Sequence, residues 1–145
     1  MSEIKKIAFA GSGNVATHLA QAMHEAGLEI VGFYSRNNSS AQKLAERYHT
    51  NWGLLSELNV CQAELIIVSV PDHAIQEVLS LLPSCNSLLV HTSGSLEMNA
   101  LKTKSQRIGV FYPLQTFSRE KSLEFSQIPI MVEAADSNDL NELRL

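Results

Sequence analysis

A glycine-rich segment near the start of the chain has residue types and a spacing that suit phosphate binding. Residues 11–16 follow the pattern G-x-G-x-x-A, directly after a short apolar run and directly before a segment with helical periodicity. In this context Gly11 permits a tight turn, Gly13 lets the backbone approach a pyrophosphate, and Ala16 lets the helix lie against the strand. The N–H groups and the positive dipole end of that helix would receive the phosphate oxygens. The segment predicts a dinucleotide site, and a glycine turn that binds nothing is the alternative.

The end of the second predicted strand carries residues that distinguish between two dinucleotides. An NAD site usually has Asp or Glu there, about 20 residues after the glycines, to bond the ribose 2′-hydroxyl. Here residues 34–38 contain no carboxylate, and Ser35 and Arg36 stand at the strand end. The Arg36 guanidinium can bind a 2′-phosphate through a fork of donors, and Ser35 can add a hydroxyl donor. This stretch predicts NADP(H), with a solvated polar turn as the alternative.

Two more polar loops follow predicted strands, at the edge where open α/β sheets bind ligands. Val70 and Pro71 belong to the first loop and are predicted to form a wall beside the ribose or the nicotinamide, whereas His73 is predicted to be a solvated helix start. The second loop contains His91 and Ser93. Ser93 could hold a substrate carbonyl or the nicotinamide amide, and His91 could donate a proton. A simple turn with a structural histidine is the alternative.

The predicted site therefore has a cofactor-binding set and a catalytic set. The cofactor-binding set is Gly11, Ser12, Gly13, Asn14, Val15, Ser35, Arg36, Val70 and Pro71. The catalytic set is His91 and Ser93. No metal site is predicted, because the other histidines and the carboxylates lack ligand spacing. The two cysteines, Cys61 and Cys85, are too few for a disulfide framework or a zinc site.

The elements that must position these residues alternate between strands and helices along the chain. The strands are predicted at Ile7–Ala10, Ile30–Tyr34, Asn51–Gly53, Leu65–Val70, Leu88–His91, Ile108–Phe111 and Pro129–Glu133. The helices are predicted from Val15 to Ala26, where Gly27 would end the helix, at Ser40–Tyr48, Ala74–Leu82 and Met98–Lys102, and from Asp136 to Leu145. This order predicts an α/β fold, a Rossmann-type doubly wound and mostly parallel sheet with helices on both faces.

The bulk composition limits the possible functions. A chain of 145 residues has room for one domain with a substantial core. A formal net charge of −4 argues against a general nucleic-acid surface, which needs excess Lys and Arg. No stretch approaches the ~18 apolar residues of a membrane span, and the first residues lack the features of a signal peptide. The expectation is a soluble, cytoplasmic protein.

Five segments of the chain occur in the same order in one known family. They are residues 11–20, Tyr34–Arg36, Ser69–Asp72, His91–Leu96 and Tyr112–Ser118. On these segments, and over nearly its whole length, the chain resembles the bacterial Rossmann-like proteins with a DUF2520 domain. Those proteins are related to pyrroline-5-carboxylate reductase and to the 6-phosphogluconate and β-hydroxyacid dehydrogenases. The family often has a histidine where this chain has Tyr112, so no imidazole role is carried over to that position.

The resemblance implies an N-terminal NADP(H)-binding domain, here residues 1–135. Residues 136–145 would begin a helix that leads to a missing C-terminal helical domain, which forms a homodimer and completes the substrate pocket. The predicted function is hydride transfer between NADP(H) and an unidentified small-molecule substrate. A non-catalytic dinucleotide-binding sensor or scaffold is the alternative, since no unmistakable acid/base pair is present and fold analogy alone cannot separate the two.

Overall fold

The computed structural model describes residues 4–36, 38–58, 62–113 and 130–143, and these contain one sheet with helices packed on it. The strands are β1 (Lys6–Ala10), β2 (Glu29–Ser35), β3 (Asn51–Leu54), β4 (Leu65–Val68), β5 (Leu88–His91), β6 (Ile108–Pro113) and β7 (Ile130–Ala134). The helices are α1 (Asn14–Glu25), α2 (Asn38–Tyr48), α3 (Ile75–Leu81) and α4 (Ser137–Glu142). Short 3-10 helices lie at Leu55–Glu57, Asp72–Ala74 and Met98–Thr103.

The direction in which strands are added to the sheet reverses beside β1. The order across the sheet is β3-β2-β1-β4-β5-β6-β7, and every neighbouring pair is parallel except β6 and β7, which are antiparallel. From β1 the chain first adds strands on one side and then, from β4, on the other. A crevice therefore opens at the carboxyl ends of β1 and β4, where doubly wound sheets bind their ligands.

Alternating side chains divide the core between the two faces of the sheet. One cluster joins Ile7, Phe9, Leu65 and Ile67 of the sheet with Ala16, Leu19 and Met23 of α1 and Ala41, Leu44 and Ala45 of α2. The opposite cluster joins Ala8, Ala10, Ile66 and Val68 with Ile75, Val78 and Leu79 of α3. Helices cover both faces, and the predicted Rossmann-type α/β fold with a mostly parallel sheet is confirmed.

Several element bounds differ from the sequence predictions. The strand predicted at Leu65–Val70 ends at Val68, because the chain turns before Pro71, whose ring fixes its backbone conformation. The segment predicted as a helix at Met98–Lys102 is a 3-10 helix. Pro129 at the predicted start of the last strand, Cys61, the chain end at Leu145 and most of the segment Tyr112–Ser118 lie outside the described residues.

Gly27 ends α1 as its position after the helix predicts. Its φ is +92°, a left-handed conformation that favours glycine. The Gly27 N–H donates to His24 O at 3.0 Å, and the Leu28 N–H donates to Met23 O at 3.0 Å. These bonds satisfy carbonyls of the last turn and direct the chain back toward β2. Among the described residues, no helix is both long and apolar enough to cross a membrane.

Arg107, just before β6, connects α4 to the sheet. Its guanidinium donates to Asp139 Oδ1 from Nε at 3.0 Å and from Nη2 at 2.8 Å, and to Glu142 Oε2 at 2.9 Å. The hydrogen bonds to Asp139 raise the pKa of Arg107. Asp139 is only 5% exposed, and Leu143, just after α4, is buried in the core. The helix predicted from Asp136 is thus present and packs against β6 and β7.

Replacing Arg107 with Ala is expected to lower the free energy of unfolding by about 2 to 3 kcal/mol, because the Asp139 carboxylate would stay buried without its partner. Equilibrium urea unfolding measures the change. Lys43→Ala, at an exposed position on α2, also removes one cation and should change stability by less than about 0.5 kcal/mol. Similar losses of stability in the two variants would mean that the partly buried ion pair of Arg107 and Asp139 does not stabilise the fold.

Candidate dinucleotide-binding site

A cavity of about 230 Å³ lies at the carboxyl ends of β1, β2 and β4. Its walls are formed by Gly11, Ser12, Gly13, Ser35, Arg36, Ser40, Leu55, Ser69, Val70, Pro71 and Val78. Seven of the nine predicted cofactor-binding residues therefore border one cavity. The other two, Asn14 and Val15, begin α1 beside it and are not wall residues. The structure thus brings together residues from segments that are far apart in the sequence.

Gly11 holds the loop after β1 in close contact with the loop after β4. Its φ is +124°, and a Cβ placed there would lie 2.5 Å from the carbonyl oxygen of Ser69. The Gly11 N–H donates to Tyr34 O at 2.7 Å, and the Ser69 N–H donates to Ala10 O at 2.9 Å. Both the backbone angle and the close approach require glycine at this position.

Gly13 prepares the amino end of α1 for an anion. It is the N-cap of the helix, it provides no side-chain hydrogen bond, and no acidic residue occupies the first turn. A Cβ at Gly13 would meet no described atom within 4 Å, so the backbone here borders open space. Thr17 stabilises the first turn of α1, because its Oγ1 donates to Gly13 O at 2.7 Å. The positive end of the helix dipole is therefore left for a ligand's negative charge.

Two serines that the sequence analysis did not select also line the cavity. Ser69 is 6% exposed, and its hydroxyl has no hydrogen-bond partner among the described residues. Buried hydroxyl groups rarely stay unpaired, so this one fits a polar ligand group in the cavity. Ser40, in the first turns of α2, shares a hydrogen bond with Ser12 across the cavity. Ser69 is the last residue but one of a strand predicted to end at the ligand edge, which was an available signal, whereas the position of Ser40 depends on the tertiary fold.

Arg36 stands just after β2 and is paired with a carboxylate from another element. Its Nη1 donates to Glu77 Oε2 of α3 at 3.1 Å, and the two side chains are 44% and 59% exposed. Both residues also border a second cavity of about 270 Å³, together with Leu54 and Leu81. Glu77 was not predicted as a site residue, because its place in the helical pattern is that of an ordinary solvated position.

His91 and Ser93 lie at the end of β5 and are not among the wall residues of the cavity at the glycine loop. His91 is fully buried, its Nδ1 accepts the Ser93 N–H at 3.1 Å, and its Nε2 has no partner among the described residues. Burial lowers the pKa of His91, although backbone groups of Glu97 and Leu96 act in the opposite direction. Burial disfavours the charged ring, and because Nδ1 accepts a backbone N–H, the neutral ring carries its proton on Nε2.

The Ser93 hydroxyl is engaged within its own loop. Its Oγ accepts the N–H groups of Ser95 and Leu96, each at 3.1 Å, in a turn that a serine side chain often caps. Ser95 in turn donates to Asp72 Oδ2 at 2.6 Å. Hydrogen bonds from Ser95 and Ser93 lower the pKa of Asp72. Asp72 thereby joins the loops after β4 and β5, a role the sequence analysis missed although a loop carboxylate at the ligand edge was visible.

Tyr112 and His73 complete the surroundings of these loops. A Cβ at Gly94 would lie 2.5 Å from Cε2 of Tyr112, so the aromatic ring packs directly over this glycine. His73 is exposed in the 3-10 helix before α3, as predicted. No group of three or more His, Cys, Asp or Glu that could hold a metal ion is found among the residues that the structure describes.

Fold and site together define a dinucleotide-binding domain of the Rossmann type. The chain belongs to the family described as "NADP oxidoreductase coenzyme F420-dependent", whose model matches residues 6–93. A search of curated proteins gave no match.

Solved structures show the same similarity over nearly the whole chain. A candidate NADP oxidoreductase from Bacteroides fragilis is 36% identical, with a TM-score of 0.84 over 97% of this chain and 56% of that one. A protein from Thermotoga maritima is 28% identical, with a TM-score of 0.73 over 92% of this chain and 49% of that one. The 1-pyrroline-5-carboxylate reductase of Streptococcus pyogenes, at 14% identity and a TM-score of 0.75 over 96% and 53%, shares the fold. The chain spans about half the length of these proteins.

The family match confirms that the chain is an NADP(H)-binding oxidoreductase-type domain. Membership of the narrower DUF2520 family stays a prediction. The assignment of individual residues to parts of the cofactor also goes beyond family and fold, so it rests on the geometry of the cavity.

Proposed function

We propose that the cavity at the glycine loop holds NADP(H) along the carboxyl ends of β1, β2 and β4. Gly11, Ser12, Gly13, Asn14 and Val15 would surround the pyrophosphate at the amino end of α1. Ser35 and Arg36 would bind the 2′-phosphate. Val70 and Pro71 would form a wall beside the ribose, and His91 and Ser93 would belong to the reacting end. Bound NADP(H) supplies the hydride in exchange with a small-molecule substrate.

One observation carries this proposal: the amino end of α1, which has no side-chain cap, and Arg36, just after β2, border the same cavity. The first suits a pyrophosphate, because N–H groups and the helix dipole attract anions. The second suits a 2′-phosphate, because a guanidinium binds phosphate through two parallel hydrogen bonds. The buried Ser69 hydroxyl at the same wall, which has no partner in the described part of the chain, also favours a ligand with polar groups.

The residues at the end of β5 suggest how the protein would serve the reacting end. Because Nδ1 of His91 accepts a backbone N–H, the neutral ring can donate only from Nε2. This proton could be offered to a carbonyl or amide oxygen. Ser93 holds the turn, and Asp72 and Ser95 join the neighbouring loops. In this proposal Asp72, Ser93 and Ser95 are positioning residues, while His91 is the candidate proton donor.

Arg36→Asp is expected to weaken NADPH binding about 10- to 100-fold and to leave NADH binding unchanged or stronger. The variant removes a 2′-phosphate ligand and adds a repelling carboxylate, which can instead bond a free 2′-hydroxyl. Isothermal titration calorimetry with the two cofactors measures the effect.

Arg47→Asp is a matched control, since it makes the same charge change at an exposed position near the far end of α2. It should leave both affinities within about twofold. Equal weakening of NADPH and NADH by Arg36→Asp would show that Arg36 is not the 2′-phosphate ligand. Absence of binding of either cofactor to folded wild-type protein would refute the proposed function.

Other predictions also stay proposals. We propose that residues 1–135 form the cofactor-binding domain and that the helix after Asp136 leads toward a helical domain, which is consistent with longer relatives. A homodimer, a specific small substrate and a cytoplasmic location are likewise expectations. An activity screen of the longest available gene product with NADPH and small imines, ketones and hydroxy acids would test for turnover. Tight NADPH binding without any turnover would favour the sensor alternative.

A further inference from the structure

The guanidinium that would bind the 2′-phosphate already contacts a carboxylate. Arg36 Nη1 and Glu77 Oε2 are 3.1 Å apart, and the residues are separated by 41 positions in the sequence. They come from opposite sides of the crevice, Arg36 from the end of β2 and Glu77 from α3. Glu77 therefore accepts a hydrogen bond from Nη1 of the Arg36 guanidinium, a donor that a bound phosphate would also use.

The helix that carries Glu77 is anchored in the core, so its backbone cannot move away from Arg36. Its neighbours on α3, Ile75 and Val78, are buried in the core, at 1% and 0% exposure. Glu77 also lies in the first turn of α3, where a negative charge is favoured by the helix dipole. The side chain can change rotamer because it is 59% exposed, but the buried neighbours keep the Glu77 backbone at the border of the second cavity.

We propose that Glu77 is a specificity-determining residue. Its carboxylate competes with the 2′-phosphate for Arg36 and thereby reduces the affinity for NADPH relative to that for NADH. This inference rests on the proposed function. An exposed ion pair contributes little to stability, so a phosphate can displace Glu77. The bound phosphate dianion then lies near the negative charge of Glu77, whose helix is anchored in the core, and this repulsion weakens NADPH binding. NADH has no 2′-phosphate and does not experience the competition.

The experiment is a calorimetric titration of wild-type and Glu77→Gln protein with NADPH and with NADH. Glutamine keeps the size of the side chain and removes the charge. NADPH is expected to bind about three- to tenfold more tightly to the variant, with NADH within about twofold. The gain should shrink at high ionic strength, because salt screens exposed charges.

Glu29→Gln is the matched control, since it makes the same charge change at an exposed position at the opposite end of β2. It should leave both affinities unchanged. Unchanged or weaker NADPH binding by Glu77→Gln would overturn the inference, and weaker binding would mean that Glu77 orients Arg36 for the phosphate. An equal change for both cofactors would also overturn it.

These outcomes are distinguishable from failure of the proposed function. If wild-type protein binds NADPH and Arg36→Asp weakens that binding selectively, the cofactor site stands whatever Glu77→Gln does. If wild-type protein binds neither cofactor, the proposed function and the role of Glu77 fall together.

Discussion

Gly13→Ala is expected to weaken binding of NADPH and NADH by about tenfold or more, and to the same extent, while the protein stays folded. The backbone of Gly13 is extended, with a φ of −89°, so alanine can adopt it. The new methyl group would meet no atom of the described residues within 4 Å and would project into open space beside the amino end of α1. In the proposed complex the pyrophosphate must approach this backbone, so the methyl group would hold it away.

The thermal midpoint should change little in the same variant. Alanine is a poorer N-cap than glycine, which costs a fraction of a kcal/mol, or about 1 °C to 3 °C for a domain of this size. Calorimetric titration measures the affinities, and thermal unfolding without ligand measures stability. Undiminished binding of both cofactors would place the pyrophosphate elsewhere. A loss confined to NADPH would also contradict the prediction, because the two dinucleotides share the pyrophosphate.

Gly11→Ala is expected to lower the free energy of unfolding by about 3 kcal/mol or more, whether or not ligand is present. Two costs add at this position. A φ of +124° is strained for any residue with a Cβ, and the methyl carbon would lie 2.5 Å from the backbone oxygen of Ser69. Since a carbonyl in the turn after β4 cannot move away like a flexible side chain, β1 and β4 must shift apart. Urea unfolding of the ligand-free variant measures the effect.

Gly27→Ala separates the two costs. Gly27 also has a positive φ, +92°, but within the described part of the chain no atom lies within 4 Å of a Cβ placed there. This variant should lose only about 1 kcal/mol, from backbone conformation alone. If Gly11→Ala destabilises the protein no more than Gly27→Ala, the Ser69 carbonyl makes room for the new methyl group without loss of stability, and the prediction is wrong. Together the variants at positions 11 and 13 distinguish a glycine required by the fold from a glycine proposed to be required by the ligand.

Much of the cofactor site could be predicted from the sequence because its central part is local. The glycine loop, the strand before it and the helix after it are contiguous, so the spacing of Gly11, Gly13 and Ala16 contains most of the geometry. The end of β2 could be predicted for a similar reason, since a parallel strand beside β1 delivers its last residues to the same edge. The two adjoining residues Ser35 and Arg36 were enough to favour NADP(H).

The structure alone decided which groups from distant segments meet at the site. Ser40, Ser69 and Glu77 border the two cavities because of strand order and helix placement. No local pattern distinguishes Ser40 or Glu77 from ordinary polar residues. The antiparallel pairing of β7 with β6 was likewise not determined by the alternation of apolar residues.

The sequence by itself determined the class of fold and the phosphate loop, because hydrophobic periodicity and glycine spacing act over a few consecutive residues. Only the tertiary structure decided that Arg36 pairs with Glu77 and that Asp72 accepts a hydrogen bond from the Ser95 hydroxyl. Those contacts depend on the relative positions of whole elements, which are set by packing throughout the core rather than by neighbours in the chain. The charge beside the predicted 2′-phosphate position therefore became visible only in three dimensions.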